Sequence, residues 1–465
     1  MKKGFLATVC LLAQSMAWSG SFQQAYEAAL TNDATYQAAR AEFASTQQNL
    51  PLARAGLLPT ISLSVGDTKV EGSRKIDSQF GGQPSTTTLD YRSPVQSLNL
   101  RAPLFNLEAR RKVTLAQAQV SYAESVLAAR KIELIDRLAN AWLQQFLAEQ
   151  ALLPARAQLE ASRAQAEVAR RRLQLGEGTR PELSEAESAL DLARALEREA
   201  LNNLELARIG LKQISGLNVE FLTGPISSSM PMSGAELLSR AILQGSIQQF
   251  QRSDEALTEL LARAEASNPA IAARKYALAM AQAAVARNSA GHYPRLDLVA
   301  SASRSRNDSL STLNQSVKQR TLGLQLSLPL YSGGAVNASV AQALADQDKA
   351  DAELAAERQT VAREVSRFYF LVTNGTDKLQ ALHKGIESAS LAVEGARKGL
   401  KTGFAIPSEV AAAQRKLTQT QYELAQAVSD YLLAHLRLIA RTGGESVLAV
   451  SRLDEVLQSA MTTKP

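Results

Sequence analysis

The 465-residue sequence predicts a mainly α protein with a small β part, built twice on one plan. Three observations predict it. Long stretches carry apolar or small residues at alternating steps of four and three, the spacing of helices that pack along narrow seams. Two pairs of short segments alternate apolar and polar residues, the period of strands with unlike faces. The order of elements then recurs: Pro103 matches Pro329 at an offset of 226, and Gly176 matches Gly403, and Gly216 matches Gly443, at 227. So long an offset is no solenoid unit but a duplicated half. Composition agrees, at 45% hydrophobic and only 5% aromatic residues. Abundant Ala and Leu favour long, shallow-seamed helices over thick globular cores.

The amino terminus reads as an export signal over residues 1–20. Met1-Lys2-Lys3 is a short positive start, Gly4 to Ala13 is an apolar run too short to span a bilayer, and Ala17, Ser19 and Gly20 offer a cleavage site. Cys10 lies inside the apolar run and does not read as a lipid-acceptor cysteine, so the mature chain is expected to carry no cysteine, no disulfide and no acyl anchor. No later stretch reaches eighteen apolar residues. A chain exported from a bacterium without a membrane helix is periplasmic, secreted, or inserted in the outer membrane as a β-barrel.

Residues 21–216 read as the first repeat. It comprises a helical stretch over 22–57 closed by Pro59, strands at about 60–73 and 87–102, a long helix at about 104–175 and a shorter one at about 181–215. The strand signal is Ile61, Leu63 and Val65, followed by a polar stretch at 66–88. Residues 217–252, mixed in Gly, Ser, Pro and Met, read as an appended equatorial segment. Residues 253–443 repeat the plan: a helix, strands at about 294–304 and 317–328, a long helix at about 331–402 and a shorter one at about 407–442. Leu296, Leu298 and Ala300 mark one strand; Leu322, Leu324, Leu326 and Leu328 mark the other, with Ser301–Lys318 read as a polar, Arg-rich loop. Residues 444–465 form a second equatorial piece. Pro103 and Pro329 are each expected to end a strand and open a helix, and Pro154 to interrupt and kink the first long helix.

The seams are explicit. In the second half they run Val361, Val365, Phe368, Val372, Gly375, Leu379, Leu382, Ile386, and past the Gly-containing turn Val410, Ala413, Leu417, Leu424, Ala427, Tyr431, Leu438. A helix of roughly 70 residues reaches ~105 Å, and two of roughly 35 stacked end to end match it. Four strands leave two open edges, which lipid does not tolerate, so a membrane barrel built from them needs several chains.

The segments LLPTISLSV (from Leu57), LRAPLFN (from Leu100), LGEGTRPEL (from Leu175), SNPAIAARK (from Ser267), GHYPRLDL (from Gly291), LSLPLYSGG (from Leu326) and KTGFAIPSEV (from Lys401) together resemble the TolC family across essentially the whole mature chain. The resemblance implies a homotrimer with a twelve-stranded outer-membrane β-barrel on a long α-helical barrel that crosses the periplasm. It also implies docking to a periplasmic adaptor (membrane fusion) protein and an inner-membrane ABC exporter or other pump, with outer-membrane lipid around the barrel. Without a lipoprotein cysteine, the chain looks more like the type I secretion branch, of protease-secretion type, than the acylated multidrug-efflux branch. Multidrug or small-molecule efflux is the alternative within the fold; a soluble periplasmic coiled-coil adaptor or scaffold is the alternative outside it.

The resemblance also marks residues. Leu175, Gly176, Glu177, Gly178 and Thr179, and Thr402, Gly403, Phe404 and Ala405, match the tip motif that adaptor hairpins contact. Their bland role is helix termination by Gly and restart at Pro181 and Pro407. Glu182 and Glu409, equivalent in the two halves, match an acidic position near the periplasmic entrance, where a ring of carboxylates favours cations. Equally, each sits where a carboxylate stabilises a helix N-terminus. Arg180 has no basic counterpart, because Ile406 stands there, and a second acidic position of some members is Ala412 here, so the family's constriction network is only partly present. Tyr91, Phe80, Tyr293, Phe105 and Tyr331 flank the strands as candidate interfacial aromatics.

Nothing in the sequence calls for catalysis or a cofactor. His292, His383 and His435 lack metal-ligand spacing, and no nucleophile elbow, P-loop or dinucleotide fingerprint occurs. The net charge of +6 comes without a dense Lys/Arg tract, so nucleic acid is not an expected partner.

Overall fold

A computed structural model describes residues 22–76, 85–217, 234–243, 254–307 and 315–443. The export signal, the tail at 444–465, Phe80 and most of the 217–252 segment lie outside the described residues.

The elements run α1 (Phe22–Asn32), α2 (Ala34–Gln47), α3 (Asn49–Ala55), β1 (Thr60–Ile76), β2 (Ser85–Asn106), α4 (Leu107–Gln174), α5 (Arg180–Ser215), α6 (Gly234–Ala241), α7 (Asp254–Ser267), α8 (Pro269–Ser289), β3 (Arg295–Asn307), β4 (Gln315–Ser327), α9 (Ala335–Thr402) and α10 (Pro407–Arg441). The chain divides into two units: Met1–Ala41, Val126–Ile271 and Glu357–Pro465 in one, Glu42–Ser125 and Ala272–Ala356 in the other. The 68-residue helices α4 and α9 contribute to both, each ~100 Å long.

In the first unit the seams are buried. Val361, Val365, Phe368, Val372, Leu379 and Ile386 of α9, and Leu424, Ala427, Tyr431 and Leu438 of α10, are buried, whereas Gly375, Leu382, Val410, Ala413 and Leu417 are half-buried. These helices approach closely: a Cβ built on Gly375 would stand 2.8 Å from Cδ2 of Tyr431. Phe22 of α1 meets Trp142 of α4 edge-on, ring centroids 5.4 Å apart, beside buried Leu134, Ile135 and Leu138. Ion pairs tie helices together around this core. Arg137 donates to Asp33 at 2.9 Å, Arg437 to Asp136 at 2.5 Å and Arg441 to Glu364 at 2.9 Å. Helix α6, within the segment read as equatorial, packs on α10, where Gln421 donates to Glu236 at 3.1 Å.

The second unit holds one antiparallel sheet of order β1-β2-β3-β4. The readings of three prolines and of the polar segments are corrected here. Strand β2 continues past Pro103 to Asn106, with a register irregularity between Pro103 and Phe105; at a bulge the missing N–H costs no ladder bond. Pro329 follows β4, yet α9 opens only at Ala335, after Gly333 and Gly334 at positive φ. Pro154 lies inside α4 without interrupting it. The strands also reach a little further into the polar stretches than their composition predicts, so Arg306 and Ser316 are strand residues rather than loop residues.

Candidate functional site

The sheet has two chemically distinct faces. Register places Ile61, Leu100, Ala300 and Leu322 in one transverse row, and Leu63, Leu98, Ala302 and Arg320 in the next. Behind them, Ala102, Leu298 and Leu324 align, then Phe105, Leu296 and Leu326. This face is apolar yet open: Ile61, Leu63 and Val65 are each 70% exposed and Leu322 is 76% exposed. The opposite face carries the rows Ser62, Asn99, Ser301, Thr321 and Ser64, Ser97, Ser303, Gln319. There the hydroxyls of Ser301 and Thr321 share a hydrogen bond at 2.6 Å, and Arg101 pairs with Asp297 at 2.5 Å. A soluble sheet buries its apolar face; a sheet that exposes it and lines the reverse with hydroxyls and amides has the face chemistry of an outer-membrane barrel wall.

The apolar band has an oblique edge. Moving away from the helices, the last outward apolar residue is Leu322 on β4, Ala302 on β3, Leu98 on β2 and Val65 on β1; Arg320, Arg304, Gln96 and Asp67 follow. Leu322 is level with Ile61, whereas Val65 lies four residues further along β1. Four residues advance ~13 Å, and three strand spacings cover ~14 Å, so the edge crosses the strands at about 40° to the hydrogen-bond direction. Strands of closed barrels tilt by roughly 35–45°. The edge's obliquity is therefore of the size that barrel tilt requires for a band level with a membrane plane. Tyr293, Phe105 and Tyr331 stand at the helix-side ends of β3, β2 and β4, all exposed, whereas Tyr91 pairs with Val70 far along β2, on the hydroxyl face.

The helix-hairpin tips are built alike. Gly176 and Gly403 take φ of 79° and 81°, the left-handed conformation that ends a helix at little cost only with glycine. The N–H groups of Glu177 and Phe404 then reach the carbonyls of Arg172 and Gly399, each at 2.9 Å. At the restart, the Glu182 carboxylate accepts from the Thr179 N–H at 3.0 Å, and the Thr179 hydroxyl accepts from the Glu182 N–H at 3.4 Å, a complete capping box. Glu409 accepts from the Ile406 N–H at 3.3 Å, but Ile406 has no side-chain acceptor, so only half the box forms. Both glutamates are exposed, as are Leu175, Gly176, Glu177, Thr179, Arg180, Thr402, Gly403 and Phe404; Gly178 and Ala405 are half-buried. Phe404 is 92% exposed, an unburied aromatic at a tip. Below the tips Arg170 donates to Glu187 at 2.7 Å, and its equivalent Arg397 donates to Gln414 at 3.2 Å.

Sequence reading missed the two-faced continuity of the strands. The register rows that give the oblique edge could have been sought in the Ser-rich alternation of 301–306, where every second residue is Ala or Arg. Among the described residues no helix is long and apolar enough to cross a membrane.

Comparison with known proteins agrees with these features. The family profile described as Outer membrane efflux protein matches residues 25–217 and 260–444. The chain is 30% identical to the proteases secretion protein PrtF of Dickeya chrysanthemi, covering 99% of this chain and 96% of that one. It is also 30% identical to the alkaline protease secretion protein AprF of Pseudomonas aeruginosa, over 92% and 85%. Among solved structures, the Campylobacter jejuni CmeC outer membrane channel superposes with a TM-score of 0.71 at 15% identity, covering 98% of this chain and 97% of that one. The CusC structure does so with 0.69 at 18%, covering 93% and 96%. The chain is a member of the outer membrane efflux protein family with the TolC-like fold, located in the outer membrane and reaching into the periplasm.

Proposed function

We propose that this chain forms a trimeric exit duct that passes a polypeptide out of the cell; the cargo class is supported by two relatives whose names describe protease secretion. The observation that carries the duct is the sheet: an exposed apolar face, a hydroxyl-lined reverse and an edge at barrel tilt. Among the described residues its outer strands β1 and β4 each present an unpaired edge. Three copies closing edge to edge make twelve strands, enough for an aqueous lumen. Helix α5 supports packing between copies, because besides its buried Ala186, Leu190, Ala193, Leu204 and Leu211 it exposes Leu192, Leu196, Leu206 and Ile209.

In this reading the tips at 175–179 and 402–405 receive the hairpins of a periplasmic adaptor, which couples the duct to an inner-membrane ABC exporter. Exposed Phe404 supports the contact on one tip, and Glu177 gives the other a different, acidic surface. Glu182 and Glu409, repeated threefold, give the periplasmic mouth six carboxylates and a field favourable to cations. Their capping bonds hold them there.

The test joins location with traffic. Outer-membrane extracts are run unheated and heated, and cells lacking the chain are assayed for polypeptides released into the medium. A heat-modifiable trimer and retained polypeptide are expected. A periplasmic monomer overturns the duct. A trimer whose loss raises small-molecule sensitivity and spares polypeptide release overturns the cargo class.

A further inference from the structure

Beyond the apolar edge, the two hairpins differ in charge. On the apolar-side face, β3 and β4 continue with Arg304, Arg306, Lys318 and Arg320, and register sets Arg304 opposite Lys318 and Ala302 opposite Arg320. All four are exposed, and among the described residues none has a carboxylate within ion-pairing distance. On the same face of the first hairpin the charges are balanced instead. Lys69 pairs with Glu71 and lies 3.8 Å from Asp90, and Arg92 lies 4.0 Å from Asp67. Three of the four bases, Arg304, Lys318 and Arg320, border a groove of about 660 Å³ whose apolar lining is Leu63, Leu98 and Ala302.

We infer that this groove and its bases bind the phosphorylated headgroup of a lipid in the outer leaflet, one phosphate-bearing glycolipid per β3–β4 hairpin. The inference rests on the barrel reading above. The argument is charge complementarity at a fixed depth. Strands β3 and β4 are joined to the helices at their other ends, so the bases lie on the side of the band away from the periplasm. Their guanidinium and ammonium groups stand at the level where hydrocarbon gives way to headgroups. Arginine offers paired N–H donors in the geometry of phosphate oxygens, and lysine adds a point charge. The leucines and Ala302 in the groove accept the acyl root of the same molecule, which a free phosphate ion does not have.

The experiment uses the full chain purified as an oligomer from outer membranes. Binding is measured to phosphatidylcholine vesicles doped with a bisphosphorylated diglucosamine lipid, with the same lipid stripped of phosphate, and with inorganic phosphate as competitor. The triple variant R304Q/K318Q/R320Q is compared with K69Q/R92Q in the balanced hairpin. Retention of the phosphorylated lipid is expected to fall roughly fivefold per base removed in the triple variant and to be unchanged in the control pair. The stripped lipid should bind the parent weakly, and millimolar phosphate should compete poorly. Equal loss in both variants, equal binding of stripped and phosphorylated lipid, or full displacement by inorganic phosphate overturns the inference. Should the triple variant not assemble, the parent's salt dependence decides: binding of the phosphorylated lipid that does not weaken with salt overturns it. A parent chain absent from the outer membrane sinks the barrel reading itself, whereas an assembled trimer indifferent to phosphate sinks only the lipid site.

Discussion

Leu324 and Gln325 are neighbours on β4 with opposite fates if the two faces are assigned correctly. Leu324 lies inside the apolar band, opposite Leu298 and one outward step from both Leu322 and Leu326, and is 66% exposed in the single chain. Gln325 faces the other way, opposite Asp297, on the side lined by hydroxyls and amides. L324R places a guanidinium in hydrocarbon, at a cost of about 2–4 kcal/mol per copy near the bilayer midplane. Three copies per barrel bring that to roughly 6–12 kcal/mol per assembly, comparable to the whole stability of an ordinary domain. Q325R puts the same charge beside Asp297 on the polar side, where the effect is expected within about 0.5 kcal/mol. The assay is the fraction of chain recovered as unheated oligomer from outer-membrane extracts, with the urea midpoint of that oligomer as the quantitative readout. L324R should deplete the oligomer and Q325R should not. Equal recovery of the two, or loss confined to Q325R, refutes the face assignment and with it the oblique band edge.

Gly375→Ala should destabilise the folded chain by ~1–3 kcal/mol, because the new methyl meets Tyr431 at 2.8 Å, whereas Gly395→Ala, with nothing within 4 Å, should stabilise by up to ~1 kcal/mol; urea unfolding midpoints compare them. Ile406→Thr should supply the acceptor that the second tip lacks and raise stability by ~0.5–1 kcal/mol, and Thr179→Ala should cost about 1 kcal/mol at the first tip, read by the same unfolding curves. Burial pushes the hydroxyls of Tyr26 and Tyr431 up to about 12, with Tyr36 adding to the effect on Tyr26. Both are held neutral in the fold and ionise near 10 when unfolded, so their contribution is complete below pH 10. It should disappear as pH rises to 12, up to ~2.7 kcal/mol for each, and a double Phe variant should flatten that limb of the stability profile.

The helical part was legible in the sequence because its signal is long. Seams such as Val361 to Ile386 repeat over many turns, and the structure buries those positions except Gly375 and Leu382, which are half-buried. The tips were legible for a local reason: glycine followed by proline leaves the backbone few alternatives, and the left-handed Gly176 and Gly403 take the one that glycine permits most easily. What composition hid was the upper half of the strands. Residues 66–76 and 301–307 are rich in Ser, Gly, Lys and Arg, which reads as loop, yet they remain paired in register with their neighbours. A polar strand carries no hydrophobic alternation to announce it, and only pairing with Arg92, Gln96 or Lys318 across the ladder reveals that its bases share a face.

Pro103 failed as a boundary marker for a related reason. Proline ends a strand only where its missing N–H breaks a ladder bond, and β2 bulges between Pro103 and Phe105. The bulge has a consequence for the band. Without it, the even-numbered outward positions of β2, Leu98, Leu100 and Ala102, would continue at Leu104; with the extra residue, Phe105 takes the outward place beside Leu296. The irregularity therefore keeps an aromatic ring on the apolar face at the helix-side edge, where exposed Tyr293 and Tyr331 also stand. A proline that reads as a terminator in the sequence thus sits where the strand must change which parity faces lipid. The two edges of the band then carry different chemistry, rings toward the helices and, on β3 and β4, bases away from them.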